Sequence, residues 1–154
     1  MSTAITAMVH WDQKPVEPWV LHAANQAAAY HCPDGAWIWQ QAQVGLAQAE
    51  LATLPEDKPG TPCHLGHCHI VASCRLDNRD VLHRSLPRDL LPPAPCDAET
   101  ILAAYLAWGP ACVERLIGDF AFVIWDAAEE RLFAARDLAG ARSLYYYRDP
   151  KRLY

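Results

Sequence analysis

The chain has 154 residues, 52% of them hydrophobic and 20% charged, which is enough for one globular domain with a substantial core. Its 13 Lys and Arg residues against 18 Asp and Glu residues give a formal charge of -5, which argues against nucleic acid as the main partner. No apolar run reaches the roughly 18 residues that span a bilayer, and residues 1–14 lack the features of a secretory signal. We therefore expect a cytoplasmic protein with no membrane partner.

The first half of the chain alternates predicted strands with two helices and with loops that contain Pro or Gly. Strands are predicted over residues 3–9, 37–40, 42–51 and 67–74, helices over 17–30 and 77–86, and loops over 31–36, 54–62 and 88–95. The 42–51 segment has a pattern that a helix would also accept. Asp77 or Asn78 lies where the cap of the second helix is expected.

The second half begins with the clearest predicted helix, residues 97–109, with Asp97 as its expected N-cap and Gly109 as its stop. A short helix over 110–117 and strands over 119–126, 131–136 and 143–148 are predicted to follow. This order of elements favours an α+β fold in which helices cover the faces of antiparallel sheets.

A series of short motifs runs through the second half of the chain. It comprises W-G at 108–109, R-L-x-G-x-F-A-F at 115–122, W-D at 125–126, A-R-D-x-x-G at 135–140 and L-Y-Y at 144–146. The series resembles the class II glutamine amidotransferase domain of the asparagine synthetase family, and R-L-D-N-R-D at 75–80 is most similar to the branch of β-lactam synthetases and lasso-peptide cyclases. The resemblance implies an N-terminal-nucleophile hydrolase fold over residues 1–154, an αββα sandwich of two stacked antiparallel sheets between helical layers.

The resemblance also implies partners and cofactors. Domains of this family hydrolyse glutamine and pass ammonia to an ATP-using synthetase domain, so ATP and Mg are expected there and no cofactor is expected in these 154 residues, which contain no Gly-rich phosphate loop. We expect the chain to be the N-terminal part of a longer synthetase. Its expected partner is that synthetase domain, in the same parent or in a partner chain, with a precursor peptide or a second copy as further candidates.

The nucleophile position departs from the family pattern. An N-terminal nucleophile uses its own α-amino group as the base, and the family residue after Met is Cys, whereas this chain has Ser2. Ser2 could attack an amide only after Met1 is removed. The alternative interpretation is that position 2 simply starts a strand.

The positions implied for the oxyanion hole depart as well. The family's Asn-Gly pair falls on Ser73 and Cys74, counted back from the matching Asn78, which is itself a candidate substrate position. Ser73 would be a weak donor, and Cys74 retains a backbone N–H donor, although its side chain would crowd a ligand that Gly admits. The Glu that follows the pair in the family is replaced here by Arg75.

Two further positions concern the charged groups of glutamine. An Arg of the family binds the α-carboxylate, but the matching stretch, residues 45–49, contains no Arg. The family Asp for the α-amino group matches Asp97, for which the plain N-cap interpretation is favoured. These departures predict a degenerate domain that acts as a scaffold for an ATP-dependent amide ligase of the lasso-peptide cyclase or β-lactam synthetase type. The alternative is an active amidotransferase that uses Ser2 and supplies ammonia to asparagine synthesis.

The stretch C-H-L-G-H-C-H raises a separate hypothesis of a metal-binding module. Its candidate ligands are Cys63, His64, His67, Cys68 and His69, although the spacing fits no standard finger. On a strand, His67 and His69 would point to one face and Cys68 to the other. The competing interpretation is a sheet strand with surface histidines, entered through a flexible approach at residues 63–64.

The remaining motif residues have structural interpretations. Arg136 and Asp137, with Gly140, are expected to form a turn held by an Arg–Asp pair beside the synthetase domain. The aromatic residues of the second half are expected to be mostly core, with at least one exposed apolar patch where the synthetase domain docks. The six cysteines are expected to be reduced, because no secretory signal is present.

Overall fold

The computed structural model of the chain describes residues 3–52 and 63–154, which divide into two compact units. Unit 1 contains the described residues up to Ala52 together with Tyr145–Tyr154, and unit 2 is Cys63–Leu144. Each unit has one four-stranded antiparallel sheet. The predicted α+β class with two antiparallel sheets is therefore confirmed. No helix among the described residues is long and apolar enough to cross a membrane.

Unit 1 consists of one helix and a sheet of order β2-β3-β1-β8. Its elements are β1 (Ala4–His10), α1 (Pro18–Ala28), β2 (Gly35–Gln41), β3 (Val44–Glu50) and β8 (Arg152–Leu153). Helix α1 begins at Pro18, whose fixed φ suits the first helical turn, and continues through an Ala-rich stretch that favours helix. Strands β2 and β3 form the predicted hairpin.

Small residues on β3 let α1 approach the sheet of unit 1 closely. Leu21 of α1 is fully buried beside Met8, Val16 and Ala47. A Cβ added at Gly45 would lie only 2.8 Å from Leu21 Cδ1 and 2.9 Å from Val16 Cγ1. Only Gly at position 45 leaves room for these two side chains.

Unit 2 consists of a sheet of order β4-β5-β6-β7 and its helices. Its elements are β4 (Cys63–Leu65), β5 (Cys68–Leu76), α2 (Arg79–Ser85), α3 (Asp97–Trp108), β6 (Gly118–Asp126) and β7 (Arg131–Arg136), with short 3-10 helices at Arg88–Leu90 and Gly109–Arg115. Alternate residues of β5 and β6, such as Ile70 and Phe122, point into a core that also contains Ile101 and Leu102 of α3. Burial of these side chains holds α3 against one face of the sheet.

Several predicted elements differ from the structure. Residues 143–148 do not form a strand: one isolated bridge joins Arg148 to Leu153, and Arg152–Leu153 pairs with β1 instead. Tyr145, Tyr146 and Tyr147 are exposed rather than core residues. The 110–117 helix is a 3-10 helix from Gly109 to Arg115. The predicted loop at 54–62 lies outside the described residues.

The predicted flexible approach at residues 63–64 is wrong. Residues Cys63–Leu65 form β4, which pairs with β5 through a tight turn at Gly66 and His67. Gly66 has a φ of +58°, the left-handed conformation that two-residue hairpin turns require. A Gly-containing pair between two short apolar runs was the sequence signal for this hairpin.

Candidate functional site

The candidate nucleophile Ser2 lies outside the described residues, so the structural description of the site begins with the substrate positions. Ser73 and Cys74 are consecutive residues of β5 and therefore point to opposite faces of the unit 2 sheet. Ser73 is buried and stands in a cross-strand row with Ala121 and Arg136, on the face away from α3. Cys74 packs against the α3 core. The two side chains thus do not converge.

The backbone at Arg75 is closely covered by the neighbouring strand. A Cβ added at Gly118 would lie 2.1 Å from the Arg75 carbonyl oxygen, and Gly118 has a φ of +143°. The Arg75 side chain extends outward and forms an exposed ion pair with Asp77, at 3.3 Å. Arg75 therefore occupies the family's Glu position with a solvated cation.

Asn78 is the N-cap residue of α2, one of the two predicted cap positions, but its side chain makes no cap hydrogen bond. Its amide Nδ2 donates to the Arg115 carbonyl oxygen at 2.8 Å, and its Oδ1 accepts from the Ile117 N–H at 3.1 Å. Asn78 thereby holds the segment that leads into β6. Both polar atoms of the side chain are used by the backbone.

Asp97 is the first residue of α3 rather than its N-cap. The cap is Cys96, whose side chain accepts from the N3 backbone N–H, while the Glu99 carboxylate accepts from the Cys96 N–H at 2.8 Å. Asp97 is instead buried, where it accepts from the Leu76 N–H at 3.0 Å and from Arg79 Nε at 2.8 Å. The N-cap interpretation of Asp97 is wrong because the helix starts one residue earlier than that interpretation requires. The carboxylate joins α3 to the end of β5.

The stretch that matches the carboxylate-binding region lies on β3 and carries a different polar contact. Gln48 Nε2 donates to Glu50 Oε1 at 2.6 Å, and Trp37 Nε1 donates to the same oxygen at 3.2 Å. This contact was not anticipated from the sequence, although Trp37 and Gln48 are cross-strand neighbours in the predicted hairpin. The Glu50 carboxylate therefore lies directly after residues 45–49, which contain no Arg.

The His and Cys residues of the C-H-L-G-H-C-H stretch go to three different places. His64 and His69 are opposite each other on β4 and β5, and their rings stack at 5.6 Å between centroids. Burial and the neighbouring His64 lower the pKa of His69. Cys63 lies beside Cys96, with which it shares a hydrogen bond. The structure therefore does not gather the five candidate ligands into one cluster.

His67 and Cys68 do meet, together with Asp126. One ligand atom from each of these three residues lies within 4.8 Å of the others. The expected separation of His67 and Cys68 on opposite faces is wrong, because His67 belongs to the turn that precedes β5, where strand alternation does not apply. Burial, followed by the charge of Asp126, raises the pKa of Cys68 to about 12, which makes the thiolate needed by a metal costly.

The Asp126 carboxylate is already well supplied with donors. Its Oδ1 accepts from the N–H groups of Ala128 and Glu129, and its Oδ2 accepts from the Tyr105 hydroxyl at 3.0 Å. Arg131 donates to the same hydroxyl at 2.8 Å and lies 3.8 Å from the carboxylate. The W-D motif therefore caps the β6–β7 turn and joins it to α3.

Asp137 of the A-R-D-x-x-G motif holds its turn with backbone contacts. Its carboxylate accepts from the N–H groups of Ala141, Arg142 and Phe120, and the Ala141 contact is the largest of the causes that lower its pKa. In the described part of the chain these contacts take the place of the expected Arg136–Asp137 ion pair. The Arg136 guanidinium lies next to Gly140. The motif residues thus lie at a turn, which the Asp137 carboxylate holds through backbone N–H groups.

The family of the chain follows from the comparison of its whole length with known families. The family model described as a glutamine amidotransferase domain matches residues 1–154. The chain belongs to this family. The N-terminal-nucleophile amidotransferase fold class expected from the resemblance is thereby confirmed.

Curated relatives of this glutamine amidotransferase domain carry two kinds of name. "Amidase chry2" of Gibberella zeae is 32% identical over 82% of the chain and 20% of its own length. "Asparagine synthetase [glutamine-hydrolyzing] 3" of Bacillus subtilis is 30% identical over 76% of the chain and 20% of its own length. "Amidase chyE" of Penicillium rubens is 36% identical over 67% of the chain and 16% of its own length. The chain spans about a fifth of the length of these relatives, and it is related to asparagine synthetases.

Proposed function

We propose that this domain does not hydrolyse glutamine and serves as a scaffold for an ATP-dependent amide-forming synthetase. The observation that carries the proposal is the use of the substrate positions by the fold itself. Asp97 is ion-paired to Arg79 and bonded to the Leu76 N–H, while both polar atoms of Asn78 bond the backbone. Neither side chain is left to bind an incoming amino acid.

The electrostatics of the two charged ends of glutamine support the same proposal. An α-carboxylate requires a cation, but residues 45–49 contain none, and Gln48 donates to the carboxylate of Glu50. An α-ammonium requires an acceptor, yet Asp97 is neutralised by Arg79 at 2.8 Å. Each of the positions matched to the family thus offers the wrong charge, or no charge, to its end of the substrate.

The residues at the expected oxyanion hole support the scaffold proposal independently. The Asn side-chain donor of the family is replaced by Ser73, whereas the donor at position 74 is a backbone N–H that Cys74 retains. Loss of one oxyanion donor typically costs about 10²–10³ in rate. A domain with Ser73 in place of the Asn donor is therefore expected to be a poor amide hydrolase.

We further propose that the parent enzyme forms an amide with an amine that is part of its own substrate, as lasso-peptide cyclases and β-lactam synthetases do. Without ammonia from glutamine, the nucleophile must come from another amine. The remaining four fifths of a chain as long as the relatives would carry the ATP and Mg site. The exposed tyrosines Tyr145–Tyr147 are the surface that we assign to docking of that synthetase domain.

Glutamine hydrolysis by the purified chain tests the proposal directly. Ammonia release is measured with glutamine for the wild type and for Ser2→Ala, and intact mass is recorded on each sample to establish whether Met1 is present. We expect no release above the Ser2→Ala background in protein that lacks Met1. Release that disappears in Ser2→Ala would establish an active serine amidotransferase and overturn the scaffold role.

A second candidate function, a metal-binding module, is favoured by one observation, the proximity of His67, Cys68 and Asp126. Elemental analysis of protein prepared without a polyhistidine tag tests it, with His67→Ala as the matched variant. A stoichiometry near one zinc per chain that falls in the variant would support this function. A stoichiometry far below one in the wild type would rule it out.

A further inference from the structure

Three cysteines converge at the start of α3, on the face of the unit 2 sheet that packs against that helix. Cys63 shares a hydrogen bond with Cys96, and Cys74 lies near enough to affect Cys63 electrostatically. All three are partly buried, and Cys63 and Cys74 pack against the α3 core. None of the six cysteines, all within the described residues, is in a disulfide.

The fold holds the first two of these thiols together from both sides. Cys63 pairs with Ile70 across the β4–β5 hairpin, so its side chain points with that of Ile70 toward α3. Cys96 is fixed by the capping box with Glu99. The adjacent Asp97 anchors the first turn of α3 to the Leu76 N–H at the end of β5. The two side chains are therefore in contact at the start of α3.

The two thiols are chemically unequal. The hydrogen bond from the Cys63 thiol lowers the pKa of Cys96, and the Glu99 N–H adds to this effect, although burial opposes it. The pKa of Cys63 is raised by the same hydrogen bond and by burial. The Cys96 side chain also accepts from the N3 backbone N–H at the start of α3, and a backbone N–H at a helix N-terminus favours a thiolate there. A thiolate beside a second thiol is the arrangement of redox-sensitive cysteines.

We propose that Cys63 and Cys96 form a reversible disulfide when the protein meets a hydroperoxide. The Cys96 thiolate attacks the peroxide, takes up one oxygen as a sulfenic acid and releases an alcohol or, from hydrogen peroxide, water. The Cys63 sulfur then attacks the Cys96 sulfur, and its proton leaves with the hydroxide as a second water. Two thiols are oxidised by two electrons and one peroxide is reduced by two.

The disulfide would link β4 to the start of α3 within unit 2. It would close a loop between positions 63 and 96, which are 33 apart in the sequence, and it would thereby restrict the unfolded chain and stabilise the fold. For a chain of this length the expected rise in Tm is roughly 5–15 °C. This device is independent of glutamine hydrolysis and of the proposed scaffold role.

Peptide mapping of the full chain tests the pairing. The reduced protein is treated with hydrogen peroxide, its remaining thiols are blocked with N-ethylmaleimide, and it is digested with chymotrypsin. Cleavage after Leu65 separates Cys63 from Cys68 and Cys74, and cleavage after Trp108 separates Cys96 from Cys112. We expect a Cys63–Cys96 peptide pair, an intact mass lower by two hydrogen atoms, and reversal by dithiothreitol.

Variants determine whether the pair is specific. Cys63→Ser and Cys96→Ser should each abolish both the mass change and the rise in Tm, whereas Cys74→Ser should retain them. Cys112→Ser is the matched control, because burial raises the pKa of that thiol to about 11 and keeps it unreactive. Melting of each variant under reducing conditions verifies that it folds. A disulfide to Cys74, or over-oxidation of single cysteines without a linked pair, overturns the proposal.

Discussion

Unit 1 and unit 2 are held together by different means, although each has a four-stranded antiparallel sheet. Unit 2 has buried carboxylates at three junctions, where Asp97, Asp126 and Asp137 accept from backbone N–H groups. The junctions between α1 and the sheet of unit 1 rely on close approach of small residues, with Gly45 and Ala47 beneath Leu21. Buried carboxylates fix loops and helix ends in unit 2, whereas in unit 1 steric fit at Gly45 acts together with a hydrogen bond from the neutral amide of Asn25 to the Trp37 carbonyl oxygen at 3.0 Å.

This difference explains which family features the chain has. The motifs that match best, W-D and A-R-D-x-x-G, are in unit 2, and their carboxylates cap turns. The positions that the resemblance implies for glutamine differ in both units: residues 45–49 of unit 1 lack an Arg, and Ser73 and Cys74 of unit 2 stand where the family has Asn-Gly. The matched carboxylates hold turns, and the altered positions are those at which we propose that glutamine binding has been lost.

The largest effect is expected from Gly118→Ala in unit 2. The added Cβ would approach a backbone carbonyl oxygen to 2.1 Å in a conformation with φ of +143°, which L residues rarely adopt. Strain and overpacking together should cost roughly 3–5 kcal/mol in the free energy of unfolding. Urea denaturation measures it. A cost below about 1 kcal/mol would mean that β5 and β6 separate easily, contrary to this description.

Arg79→Ala should rank next, because it leaves the buried Asp97 carboxylate without its cation. Removal of one partner from a buried pair costs about 3 kcal/mol or more. The double variant Arg79→Ala/Asp97→Ala is the matched control, because it removes the unpaired charge. We expect a double-mutant cycle from urea denaturation to give a coupling of about 2 kcal/mol. Additive effects would show that the two side chains do not interact.

The equivalent steric test in unit 1 is Gly45→Ala. Here the new methyl group meets the ends of two side chains, Leu21 Cδ1 and Val16 Cγ1, rather than backbone. Side chains can move, so the expected cost is about 1–2 kcal/mol, below that of Gly118→Ala. The double variant Gly45→Ala/Leu21→Val should recover part of the loss in thermal melting. If the double variant is no more stable than Gly45→Ala alone, the strain does not arise from contact with Leu21.

Asp137→Asn tests the turn by its dependence on pH. Backbone N–H groups, chiefly that of Ala141, hold the pKa of Asp137 below its ordinary value of 3.8. The stabilisation is therefore present above pH 3.8 and is lost as the pH falls through the lowered pKa of the folded state. We expect the variant to melt roughly 3 °C lower than the wild type at pH 7. The gap should narrow as the pH falls below 3.8 and through the lowered pKa, and a gap that is constant with pH would refute the assignment.

Local sequence signals were sufficient for many elements. The Ala-rich stretch after Pro18 predicted α1 correctly. The strand patterns of residues 37–40 and 42–51 predicted the β2–β3 hairpin. The prediction failed at residues 143–148 because aromatic β-propensity does not supply a pairing partner. Asp149 instead turns the chain by accepting from the N–H groups of Lys151 and Arg152, which brings Arg152–Leu153 to β1. The pairing of Arg152–Leu153 with the distant strand β1 therefore determines the structure of this segment.

The candidate site was less predictable than the fold, and for a related reason. Residue matching located Asp97 and Asn78, but only the folded chain reveals that Leu76, Arg79, Arg115 and Ile117 already use them. The Cys63–Cys96 contact joins residues 33 positions apart, and no local pattern announces it. A side chain's availability for a ligand depends on contacts distant in sequence, which motif spacing does not encode.

Arg75→Ala should have the smallest effect, and it completes the test of the altered substrate positions. Arg75 replaces the family's Glu, but its ion pair with Asp77 is more than half exposed on both sides. Such pairs contribute about 0–1 kcal/mol to stability. The free energy of unfolding, measured by urea denaturation, should therefore fall by less than about 0.5 kcal/mol, against about 3 kcal/mol for Arg79→Ala. Two arginines four positions apart would then differ in cost because only Arg79 faces a buried carboxylate. A large loss in Arg75→Ala would instead give Arg75 a structural role and weaken the view that this position is a solvated remnant of a substrate site.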